Sequence, residues 1–126
     1  MEKIWEYGGV DRPFDVSSSE GIAALMEALG TLRAENKGNE SDGGKRDVSA
    51  MVREHCLILR GFFDRIFGDG QGEDICGSEF SAEAHTLAYM DFITFVEREA
   101  ENFRRAAAMI EEKYMERVPG EDAEDE

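Results

Sequence analysis

The chain has 126 residues, and its 14 Lys and Arg against 29 Asp and Glu give a formal net charge of −15. One domain of this size can bury a modest core, while the acidity argues against a groove for nucleic acid and against docking on an anionic membrane. No apolar run approaches the ~18 residues of a spanning helix, the first seven residues lack a signal peptide's apolar region, and Cys56 and Cys76 are too few for a disulfide framework, so a cytoplasmic protein with free thiols is expected.

The N-terminus reads as a short β-hairpin. Lys3 to Tyr7 alternates, with Trp5 and Tyr7 on one side, and Gly8-Gly9 supplies the turn. A second alternating run covers 13–16, where Pro13 is tolerated only at a strand start or an edge. Two short strands are marginal alone and must lean on helices. Ser17-Ser-Ser-Glu20 then forms a capping box, and Ile22, Leu25, Leu29 and Leu32 follow at helical spacing, predicting a helix of roughly 17 residues. Residues 36–46 are polar and Gly-rich and read as a mobile loop inside the domain.

Asp47 is placed to cap a second helix. Val48, Val52, His55, Leu59, Phe62 and Ile66 form its seam, which Met51, Cys56, Ile58, Phe63 and Phe67 widen. So apolar a helix should be the central one. Gly68 ends it, and Gly68, Gly70 and Gly77 frame a turn that tucks Ile75 and Cys76 inward.

Ser81 opens a long third helix that can run to Arg117 without meeting a proline. From Leu87 to Val96 it is apolar nearly all round, which predicts burial. Tyr89, Ile93, Val96, Ala100, Phe103, Ala107, Ile110 and Tyr114 then alternate steps of four and three, a heptad seam. Residues 81–116 as one helix would span about 54 Å, whereas a compact domain of this size is roughly 36 Å across. The helix must bend, break or project, and a projecting end carrying Val96, Phe103, Ile110 and Tyr114 needs a partner. Otherwise the first helix covers the stripe. Residues 118–126 hold five acids and no base after a Pro-Gly breaker, and read as a disordered acidic tail. The expected fold is a single mainly α-helical domain over 1–117, with a short N-terminal β-hairpin, three principal helices and a long third helix.

Sites for chemistry fail on spacing. His55 and Cys56 are adjacent on a helix, so their side chains diverge by about 100°, and no paired Cys spacing of a structural zinc site occurs. In the loop from Gly68, Asp69, Gln71 and Glu73 alternate as calcium ligands do, but Asp74 stands where Gly is required and Phe80 where Glu is required. The Gly68-x-Gly70-x-Gly72 run follows a helix, lacks a Lys and carries acids, which would repel phosphate. Acidic neighbours favour the neutral thiol of Cys76 over a nucleophilic thiolate. No catalytic, metal or cofactor site is expected.

The order of elements, together with Ile66-Phe67-Gly68-Asp69-Gly70 and the later Ile75-Cys76-Gly77, resembles small acidic proteins encoded among the tail genes of Firmicute phages and prophages. The likeness covers roughly residues 3–102. Those proteins are regarded as tail assembly chaperones or relatives of them, so the resemblance implies a non-enzymatic role in the bacterial host's cytoplasm. It implies binding to the tape-measure protein or other tail components, without nucleic acid or membrane. An acidic mimic of DNA and an orphan helical homodimer or higher oligomer are the alternatives.

Overall fold

The first turn is set by two glycines. Gly8 and Gly9 have φ of 62° and 79°, the paired positive values of a two-residue hairpin turn. In this computed structural model, which describes residues 3–41 and 47–117 with side chains for 3–40 and 47–113, β1 (Ile4–Tyr7) pairs antiparallel with β2 (Val10–Pro13) from Tyr7↔Val10 to Ile4↔Pro13. A two-residue turn forces pairing to resume at once, so Pro13 closes the second strand instead of opening it as predicted. The predicted run 13–16 leaves the sheet and carries Phe14 and Val16 into the core.

The first helix, α1 (Ser19–Ser41), starts one residue later than its capping box suggests. The Asp15 carboxylate accepts from both the amide (2.9 Å) and hydroxyl (2.6 Å) of Ser17, and Ser18 Oγ accepts from the Gly21 amide at 3.2 Å. Ser18 therefore caps, because Asp15 holds Ser17. The helix also continues through residues 36–41, which the Gly- and Asn-rich composition predicted as loop. Asn39 is buried there, and its side-chain amide donates to the Met51 carbonyl at 3.4 Å. Packing overrides the weak propensity of Asn and Gly. The remainder of the predicted loop, 42–46, and the predicted acidic tail, 118–126, lie outside the described residues.

Both ends of α2 (Val48–Phe67) are as predicted. The Asp47 side chain accepts from the Ala50 amide at 2.8 Å, and Gly68, at φ 117°, donates its amide to the Asp64 carbonyl at 2.8 Å. Its buried residues Cys56, Ile58, Leu59, Phe62 and Phe63 occupy the middle of the molecule. Within the glycine-framed turn lies a fourth, short helix, α3 (Gln71–Cys76), which does bury Ile75 and Cys76. It presses closely on α2, since a Cβ on Gly72 would stand 2.2 Å from the Arg60 carbonyl oxygen. The hairpin is pinned to α3 by Arg12. That buried side chain donates from Nε to Gln71 Oε1 at 3.0 Å and pairs with Asp74.

The last helix, α4 (Ala82–Arg117), is continuous over 36 residues, about 54 Å. Ser81 Oγ accepts from the Ala84 amide at 3.1 Å and opens it. Ala88, Phe92 and Phe95 are buried, whereas Leu87 and Met90 are more than half exposed. The body covers only one side of this helix, so the predicted all-round burial of 87–96 does not occur.

Among the described residues, nine aromatic rings knit the core. Trp5 stacks on Phe63 (centroids 5.7 Å apart) and on Tyr7 (5.4 Å), and meets Phe92 edge-on at 4.9 Å. Its Nε1–H donates to Asp91 Oδ1 at 2.8 Å. The architecture is thus mainly α-helical, with a short N-terminal antiparallel hairpin and a long C-terminal helix.

Candidate functional site

The projecting half of α4 carries the four residues that the sequence singles out. Val96 is half-buried against the core. Beyond Ala100 every described residue, 101–113, is exposed. Phe103 stands 48% exposed and Ile110 69% exposed, and the seam spacing aligns them with Ala100 and Ala107 on one stripe. Tyr114 lies on the same helix, and its side chain is outside those described. Neither a bend nor α1 covers the stripe: the helix projects. Met109, exposed beside the seam, was missed by sequence reasoning because it falls one step round from the heptad positions. Gly68, Gly70 and Gly77 have φ of 117°, 87° and 100° and bracket α3, so their role is architectural.

A polar knot that sequence reasoning missed lies where α2, α3 and α4 meet. His85 is fully buried. Its Nδ1 donates to the Ser81 carbonyl at 2.7 Å, which leaves Nε2 to accept from Arg60 Nε–H at 3.0 Å. This network assigns the neutral tautomer. Burial lowers the His85 pKa below its ordinary 6.5, Arg60 and His55 lower it further, and the Ser81 bond opposes them. Arg60 also donates to the Gly77 and Glu79 carbonyls at 3.0 and 3.4 Å and lies over the Phe80 ring at 4.5 Å. One guanidinium therefore fastens the link from α3 to α4 onto α2.

The cysteines and histidines do not converge. His55 Nε2 is 2.9 Å from Thr86 Oγ1, at the edge of a mostly apolar cavity of about 250 Å³ lined by Leu32, Ile58, Leu59 and Tyr89. Cys56 is buried. Burial pushes the Cys76 thiol up to about 12 and raises that of Cys56, so neither supplies a thiolate nucleophile near neutrality. Among the described residues no three His, Cys, Asp or Glu side chains gather as metal ligands would, and no helix is long and apolar enough to cross a membrane.

A buried aromatic body with a bare helix projecting from it defines a small α-helical domain whose outstanding surface is one helix face. The chain belongs to the family of unknown function DUF6673, whose model matches residues 8–122. Neither the curated proteins nor the solved structures contain a match to it.

Proposed function

We propose that the chain is a non-enzymatic assembly factor of a phage or prophage, of the tail assembly chaperone type. In this reading it acts in the cytoplasm of the bacterial host, where the projecting end of α4 covers apolar segments of the tape-measure protein or another tail component. The observation that carries the reading is the run of exposed residues 101–113 with Phe103 and Ile110 on one stripe. Exposed apolar side chains aligned on a helix offer the seam of a two-helix contact. The resemblance of the 66–70 and 75–77 segments to phage tail-cluster proteins supplies the class of client. Net charge of −15 keeps such a factor soluble while it holds a sticky segment.

Co-expression with the tape-measure gene tests this. Co-purification of the two proteins and a rise in soluble tape-measure protein are expected, and both should fall in an Ile110→Asp chain. No co-purification and unchanged solubility would refute the reading.

A further inference from the structure

Two features of the α4 end bear on what covers it when no client is bound. The first is the size order along its stripe. Ala100, Phe103, Ala107 and Ile110 alternate small and large. If two such helices run antiparallel about a two-fold axis between Phe103 and Ala107, every large side chain meets a small one. Phe103 falls on Ala107 of the second copy, and Ile110 falls on its Ala100. A parallel pair would set Phe on Phe and leave gaps at the Ala layers, forfeiting contacts that close packing supplies.

The second feature is charge. Residues 98–117 hold five acids and five bases, whereas 1–97 hold 19 acids and nine bases, a net −10, and 118–126 add five acids and no base. Within 98–117 itself, and so along the four layers from Ala100 to Ile110, a second copy meets no net like charge. Glu101 already binds Arg104 at 3.1 Å and Arg105 at 3.4 Å along the helix, so one acid offsets two of the bases beside the stripe within each copy.

We infer that a second copy of this chain covers the α4 end, the two helices pairing antiparallel with Phe103 of each against Ala107 of the other. The contact is isologous and closes on itself. Its four layers span about 15 Å, which makes a small, reversible interface. That a client displaces the second copy rests on the function proposed above; the pairing itself does not.

Sedimentation equilibrium of the full chain over a range of concentrations should show a monomer–dimer equilibrium. Phe103→Asp should raise the dissociation constant at least about tenfold, with the far-ultraviolet dichroism of the wild type retained. The register is tested by mixing Phe103→Cys and Ala107→Cys chains under mild oxidation. The mixed disulfide should exceed either homodisulfide, since Cys56 and Cys76 are buried and do not compete. A monomer at every concentration, or a dominant Phe103→Cys homodisulfide, overturns the inference. Co-purification with tape-measure protein by a chain that stays monomeric would overturn the pairing alone. A dimer that captures no client would overturn the proposed function alone.

Discussion

At the scale of single residues, the tightest constraint is at Gly72. A methyl group there would meet the Arg60 carbonyl oxygen and Cα, at 2.2 and 2.6 Å, so α3 would have to lift off α2. Gly72→Ala should destabilise the fold by about 1–3 kcal/mol, read as a lower midpoint in urea. Thiol reactivity checks the core from the other side. With Cys76 pushed up to about 12 and Cys56 raised by burial, neither should react with a thiol reagent at pH 8 until denaturant is added. Rapid labelling of the native chain would contradict the packing around α3. These details differ in how far the sequence discloses them. Asp47 and Gly68 act on amides and carbonyls a few residues away, so local spacing is enough to find them. Gly72 and His85 have their reasons on Arg60, which only helix packing brings near, and no local pattern marks them. The Ser17 capping box failed for a related reason: Asp15, two residues earlier, was a better acceptor than the box allowed for.

At the scale of elements, α4 is two different helices joined end to end. Its first half is held by the core and its second half by its own hydrogen bonds. Phe92 is fully buried while Phe103 is about half exposed, and equal substitutions should separate them. Phe92→Ala should cost about 3–5 kcal/mol, whereas Phe103→Ala should stay within about 0.5 kcal/mol, both measured by chemical denaturation at a concentration where the chain is monomeric. The heptad period showed the stripe, and helix length against domain diameter showed that something had to give. Which of bending, breaking or projecting occurs depends on what α1 packs against. Since α1 and its extension through Asn39 lie on α2, the α4 end is left bare. The continuation of α1 was hidden because its stabilisation comes from tertiary packing, against the propensities of Gly38 and Asn39.

At the scale of the whole molecule, the buried neutral His85 couples folding to pH. Its folded pKa lies below the ordinary 6.5, so the unfolded chain takes up a proton first as pH falls. The stability this group contributes is complete above about pH 6.5 and is lost as pH drops through the lower folded value. The Asp15 carboxyl, lowered chiefly by its hydrogen bonds from Ser17, acts in the same direction in a more acidic window, below its ordinary 3.8. Thermal unfolding followed at half-unit steps should show the midpoint falling as the pH drops below 6.5. A His85→Gln chain, which can still accept from Arg60 but does not titrate there, should lose most of that slope. An identical slope in both chains would remove His85 as its cause.

Trp5 has a consequence for how the protein is made. It stacks on Phe63 of α2 and bonds to Asp91 of α4, 86 residues further along the chain. A two-stranded hairpin cannot hold itself in water, so the N-terminus has nothing to settle on before α2 and α3, and the site of its indole is complete only once α4 exists. During synthesis the first strand must wait for Phe63 of α2, and its indole nitrogen for Asp91 of α4, to emerge from the ribosome. Its indole and the rings that stack on it stay open to chance contacts throughout that interval. The order of translation thus runs against the order in which the core can close, and the last ring to arrive is Phe95.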